Sequence, residues 1–210
     1  MNIPVYKQDG SRAGEVAVSE KFFGQELNAG LIHRIFVLQV SNGRAALAHT
    51  LTKGEVRGGG KKPHNQKHTG WARTGSSRNP HWKGGGVALG PRSNRNYRIS
   101  ASKNERRIAL FSALSDKMKG EQISALESYA GDKPRTKDFA TMLSKLPFKK
   151  KILFVLPERN DAFYRSCRNI PHVKSILVNY LNIKDILDYN DVVFLKDALP
   201  RLDTIFSKAK

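Results

Sequence analysis

The chain has 210 residues, with 37 Lys and Arg against 18 Asp and Glu, a formal net charge of +19 and a pI near 10.2. That length supports one domain with a real core or two small ones, and a mean hydropathy of −0.50 is that of a folded body with a polar appendage. The single cysteine, Cys167, excludes an intrachain disulfide and a thiolate metal cage, and no run reaches the roughly 18 apolar residues of a membrane span.

The start, MNIPVYKQDGS, has neither an apolar signal core nor a basic amphipathic leader, which predicts a cytoplasmic protein, or an organellar one if it is encoded there. Ile3, Val5 and Tyr6 and then Glu15 to Ser19 flank the turn residues Asp9-Gly10-Ser11, so a small hairpin or two short extended pieces are expected. Ser19 is positioned to cap a turn beginning at Glu20. Asn28 opens a helix in which Leu31, Ile35 and Leu38 recur at helical spacing, ending near Asn42-Gly43. Arg44 to Thr52 then feeds a very different stretch.

From Lys53 to Arg98 the chain holds eleven lysines and arginines against one acid, Glu55, and ten of the seventeen glycines. It sustains neither a 3.6 nor a 2.0 period and offers too little apolar surface to offset the entropy of ordering it, so an extended loop that orders against an anionic partner is expected. Downstream, Ser102 to Glu105 reads as a capping box. Ile108, Phe111, Leu114 and Met118 then predict a core-facing helical stripe. Strands are expected at 122–126, 151–156, 173–178 and 191–195, and helices near 136–146, 161–168 and 183–187 and from Pro200 onward. Thr136 is expected to cap the first of these, and Cys167 to be a buried packing residue. Strands separated by helix-sized intervals predict an α/β fold with a mostly parallel, Rossmann-like sheet flanked by helices. The organisation expected is a single domain over 1–210, with a discontinuous body, 1–50 and 99–210, and an inserted RNA-binding loop at 51–98.

Glycine lets a backbone turn and approach a phosphate surface closely, arginine forks suit phosphate oxygens, and lysines act as point charges. The candidate RNA ligands are Lys53, Arg57, Lys61, Lys62, Lys67, Arg73, Arg78, Lys83, Arg92, Arg95 and Arg98. Arg106 and Arg107, in a first helical turn where the dipole disfavours cations, extend the set. Trp71 and Trp82 are candidates for stacking on bases, worth roughly 1 to 3 kcal/mol each. RNA is favoured over duplex DNA because no recognition helix lies in the segment.

Competing chemistries lack their residues. His64, His68 and His81 have no cysteine or carboxylate to complete a metal sphere, so no metal and no cofactor is expected. A Walker loop fails because Glu55 stands where its first glycine should and Lys62 follows Lys61. No dinucleotide fingerprint follows an apolar strand. Asp161, Asp185, Asp188 and Asp191 read as caps or solvated charge rather than a catalytic pair.

The run Thr52 to Pro63, with Gln66 to Arg73, Gly75-Ser76, Arg78 to Gly86 and Gly90-Pro91-Arg92, strongly resembles the bacterial-type universal ribosomal protein L-four family, as do Arg168 to Pro171 and Leu181 to Leu187. The resemblance covers the whole chain. It implies an α/β domain at the large-subunit surface whose loop threads into ribosomal RNA, with Lys61, Lys62, Arg73, Arg78 and Lys83 holding RNA. It also implies that Gln66, Lys67, His68, Thr69 and Gly70 lie nearest the nascent-peptide exit tunnel, close to where macrolide antibiotics bind. The implied partners are large-subunit rRNA, neighbouring ribosomal proteins, the nascent peptide and, in some members, the protein's own mRNA; the implied roles include early subunit assembly. Two positions depart from the family pattern: His68 stands where glycine is usual and Trp71 where arginine is. His68 is expected to reshape the tip by removing the freedom to adopt positive φ, and Trp71 to exchange a phosphate fork for a stacking surface. The alternatives are an off-ribosome RNA chaperone or translational repressor, and an α/β enzyme with a basic substrate lid.

Overall fold

The computed structural model describes residues 1–129, 134–148 and 150–207. By its internal contacts the chain divides into two compact units, Met1–Val40 with Ser100–Lys210, and Ser41–Ile99.

The first unit is a mixed α/β fold. Strands β1 (Asn2–Tyr6) and β2 (Arg12–Ala17) form the expected hairpin, and short helix α1 (Glu20–Phe23) and α2 (Ala29–Asn42) follow. After residue 102 come α3 (Lys103–Lys119), β3 (Ile123–Leu126), α4 (Thr136–Lys145), β4 (Ile152–Leu156), α5 (Asp161–Cys167), β5 (Val173–Leu177), α6 (Ile183–Asp188), β6 (Asp191–Leu195) and α7 (Ala198–Ser207). The strand order is β2-β1-β3-β6-β4-β5, with every pairing parallel except that of the hairpin.

Period two along the central strands explains the layers. In β4, Leu153 and Val155 join a core with α1, α2, α3, α6 and α7, while Ile152, Phe154 and Leu156 join another with α4 and α5. In β6, Val192 and Phe194 face the first core and Val193 the second. Burial on both faces is why these strands read as continuous apolar runs. The second core centres on Phe163, whose ring meets Tyr129, Phe139 and Phe154 edge-on at centroid distances of 4.9, 5.2 and 5.3 Å, a geometry favoured by the aromatic quadrupole. Cys167 is buried beside it, its thiol donating to Ser175 Oγ at 3.4 Å, and burial pushes that thiol's pKa up.

Several local expectations are corrected. Ser19 stands at the N-cap of α1, yet its side chain accepts no cap bond. The capping box is half formed: Ser102 Oγ accepts from the Glu105 amide at 3.2 Å, while the Glu105 carboxylate lies 3.6 Å from the Arg34 guanidinium. Ile108 is 47% exposed, and the stripe that packs is Ala109, Leu110, Phe111, Ala113 and Leu114. The N-cap of α4 is Arg135, with Thr136 its first helical residue. Asp185 is no solvated acid: it is 5% exposed, paired with Lys174 Nζ at 2.6 Å and bonded by Asn182 Nδ2 at 2.8 Å.

Two serines buried on α3 fix the link between α1 and α2. Ser112 Oγ accepts from the Asn28 amide and donates to the Glu26 carbonyl, both at 2.8 Å; Ser115 Oγ accepts from the Gln25 amide at 2.9 Å. Removing the Ser112 hydroxyl leaves the Asn28 amide and the Glu26 carbonyl without that partner in a part-buried setting. Ser112→Ala is therefore expected to lower unfolding free energy by about 1 to 3 kcal/mol, read by urea denaturation with an unchanged m-value.

Candidate nucleic-acid interface

Residues 43–102 contain no helix and no strand. What order the second unit has comes from side-chain caps and a few cross-leg bonds. At its base, Ser41 Oγ donates to the Tyr97 carbonyl at 2.7 Å, and Asn42 exchanges two bonds with Ile99, at 3.0 and 2.8 Å. Higher up, the Thr50 amide donates to the Pro91 carbonyl at 3.0 Å, Val87 to Leu51 at 2.8 Å and Gly86 to Arg78 at 2.9 Å. Gly86 is required there, because a Cβ would collide with the Lys53 amide nitrogen and the Thr52 carbonyl carbon.

Glu55 is the electrostatic centre of this neck. Its carboxylate accepts from the Thr52 amide at 2.7 Å and the Thr52 hydroxyl at 2.8 Å, with His49 Nε2 at 3.6 Å and Arg92 Nη1 at 3.7 Å. The bond from the Thr52 amide, then that from its hydroxyl, hold the Glu55 carboxyl below the usual carboxylate range, with His49 and Arg92 adding to the effect. The only acid of the stretch thus serves its own backbone.

Beyond the neck the chain is held lightly. Among the described residues, no amide between 57 and 77 donates to a backbone carbonyl. The Lys62 ammonium donates to the Gln66 side-chain carbonyl, a His64 ring nitrogen lies 3.0 Å from the Ala72 carbonyl, and the His64 and Trp71 rings meet edge-on at 5.8 Å. His68 adopts φ 64°, a left-handed conformation in spite of its Cβ, and the expectation that histidine would forgo that conformation is corrected. Histidine tolerates this region better than most residues, though at a steric cost that glycine avoids.

The candidate ligands differ in their surroundings. Lys53, Arg57, Lys61, Lys62, Lys67, Arg73, Lys83, Arg95 and Arg98 are exposed, whereas Arg78 and Arg92 are half-buried. Arg78 is committed inward, with Nη1 donating to the Val56 carbonyl at 3.1 Å. Trp71 is 72% exposed, with the His64 ring edge-on to it, while Trp82 is half-buried in the turn that runs from Asn79 to Gly86. Gln66, Lys67, Thr69 and Gly70 are exposed with His68. Arg106 and Arg107 belong to the other unit, on the first turns of α3; Arg106 is exposed and its Nε donates to the Ser102 carbonyl at 3.4 Å. Among the described residues no group of His, Cys, Asp or Glu gathers in a metal-binding arrangement, and no helix is long and apolar enough to cross a membrane.

The family described as Ribosomal protein L4/L1 matches residues 16–205, nearly the whole chain. The chain belongs to that family. The large ribosomal subunit protein uL4 of Ruminiclostridium cellulolyticum is 38% identical over 205 residues, covering 98% of this chain and 99% of the relative. That of Pelotomaculum thermopropionicum is 40% identical over 98% of both chains, and that of Lachnospira eligens 39% over 98% of this chain and 99% of its own. Within this L4/L1 chain, two residues outside the sequence-based set, Arg44 and Tyr97, also face the neck. Arg44 lies over the Tyr97 ring at 4.4 Å and Arg95 over the same ring at 5.1 Å. Arg44 escapes a reading of composition because it falls in the link before the glycine-rich run, and only the pairing of the two legs places it beside Tyr97.

The depressed Glu55 pKa has a definite sign. A carboxyl whose folded pKa lies below its unfolded value contributes stability above the ordinary carboxylate range and loses it as pH falls through the depressed value. Acidification is therefore expected to lower the protection of the Thr52 amide, measured relative to its intrinsic exchange rate at each pH, well before the body melts, and Glu55→Gln to abolish that pH dependence of protection, as NMR of the Thr52 amide would report.

Proposed function

We propose that this chain is a structural constituent of the large ribosomal subunit that binds large-subunit rRNA, and is not an enzyme. Membership of the L4/L1 family over nearly the whole chain carries this reading, and it agrees with nine exposed cations on a segment lacking helix and strand. Neighbouring large-subunit proteins are the other partners, and the cytoplasm, on the ribosome, is where it acts.

In finer terms, residues 51–98 are an inserted RNA-binding loop on a Rossmann-like body formed by 1–50 and 99–210. The mechanism is counterion replacement: lysines and arginines displace condensed cations from closely spaced phosphates, so RNA segments that repel one another can approach. Exposed Lys61, Lys62, Arg73 and Lys83 act as phosphate ligands. Arg78 shapes the loop through Val56, and Trp71 offers a face to an unpaired base. Gln66, Lys67, His68, Thr69 and Gly70 form the tip beside the nascent peptide, and the same cationic surface is the one that would hold the protein's own mRNA.

The test is RNA binding as a function of salt. Replacing Lys61, Lys62, Arg73 and Lys83 with alanine is expected to weaken binding to large-subunit rRNA and to flatten the plot of log affinity against log salt by about one unit for each phosphate ligand removed. Unchanged slope together with unchanged incorporation into large subunits would contradict the assignment. Deleting residues 64–93 is expected to leave a single cooperative melt, since the two buried cores draw no residue from that stretch; loss of the transition in a thermal scan would contradict the division of labour.

A further inference from the structure

The neck of the insertion contains a cavity of about 540 Å³, within the size range of small-ligand sites. Its lining has two characters. Arg44, Arg92 and Arg95 supply three guanidinium groups, and Leu47 and Pro91, with the intervening alanine methyls, supply an apolar wall. No acid lines it; the Glu55 carboxylate reaches only Arg92 of the three, at 3.7 Å.

Tyr97 makes this more than a patch of surface charge. Arg44 comes from the outgoing leg and Arg95 from the returning one, and both guanidinium carbons lie within 5.1 Å of the centre of the one ring. A guanidinium resting on an aromatic face keeps its N–H edge available for a planar acceptor, and loses less freedom when an anion arrives. Tyr97 is itself fixed, since its carbonyl accepts from Ser41 Oγ at 2.7 Å. Leu47 is 89% exposed in the same cavity, an apolar side chain that the chain's own packing leaves uncovered.

We propose that this cavity is a binding site for one unstacked RNA nucleotide: Arg44, Arg92 and Arg95 hold its phosphate, and its base or ribose lies against Leu47 and Pro91. This rests on the reading of the chain as an rRNA-binding protein and deepens it. Simple counterion replacement needs cations alone, whereas this site joins a cationic wall to an apolar one at nucleotide scale. It also places the phosphate between the two legs, so that binding at the neck closes the base of the insertion. Tyr97 is a positioning residue in this scheme, acting through the two arginines it orders.

The decisive experiment measures the affinity of the full chain for large-subunit rRNA over a range of salt. Arg44→Ala and Arg95→Ala are each expected to weaken binding and lower the salt slope by about one unit. Leu47→Ala is expected to weaken binding several-fold at unchanged slope, a result that a site for phosphate alone would not give. Tyr97→Leu should weaken binding and Tyr97→Phe restore it, with amide exchange at Thr50 and Val87 confirming that the neck is intact in both. If the wild-type chain binds with a steep salt slope but Arg44→Ala, Arg95→Ala and Leu47→Ala are all neutral, the nucleotide site is overturned while the rRNA-binding role stands. Competition by a poly-glutamate peptide as effective as that by RNA of equal charge would also overturn it. Failure of the wild-type chain to bind large-subunit rRNA at all would instead remove the functional reading beneath it.

Discussion

Like-charge repulsion within residues 53–98 is the constraint on which the rest of the structure depends. Eleven cations and one carboxylate cannot be folded together in water without a source of opposite charge, and at physiological salt neighbours within about 8 Å still repel one another. The only internal source is Glu55, and the neck closes where it sits: Thr52, His49 and Arg92 converge on that carboxylate, and the cross-leg bonds at Thr50 and Val87 flank it. Beyond its reach, from 57 to 77, backbone-to-backbone amide bonds cease among the described residues. The distribution of order along the insertion thus follows the distribution of negative charge. An RNA backbone supplies what the sequence omits.

The α/β unit meets the opposite requirement. Its central strands are buried on both faces, and its two cores are closed by aromatic clusters and by serine hydroxyls that serve backbone groups at the α1–α2 link. Asp185, drawn inward there, is paired with Lys174 and bonded by Asn182, so it serves packing rather than chemistry. Tolerance of change should differ accordingly. The body is sensitive to volume and to unsatisfied hydrogen bonds, whereas the insertion is sensitive to charge and to a few backbone positions such as Gly86.

Much of the fold was legible in the sequence because β4 and β6 are short apolar runs and Asn28 and Ser102 are strong caps. The errors arose where one residue type serves two purposes. Ile108 has the spacing of a core residue but is exposed, while Phe111, Leu114 and Met118 of the same stripe do pack, and the buried face extends to Ala109, Ser112 and Ala113. Asp185 looked like a solvated acid or a cap, and only the fold reveals that it is buried, with the exposed Lys174 of β5 as its partner. In the candidate interface, composition identified the cations but could not separate the exposed ones from Arg78, which bonds across 22 residues to Val56. Nor could it foresee Arg44 beside Tyr97. Both arrangements depend on how two irregular legs pair, and no period in the sequence encodes that.

The most direct measurement is amide hydrogen exchange of the free chain compared with the same chain in large-subunit particles. If the insertion takes its form from RNA phosphates, amides at 57–77 will exchange freely in isolation and be protected in the particle, while those of Thr50, Gly86 and Val87 are protected in both. Equal protection at 57–77 in the free chain, or none there in the particle, would contradict that dependence.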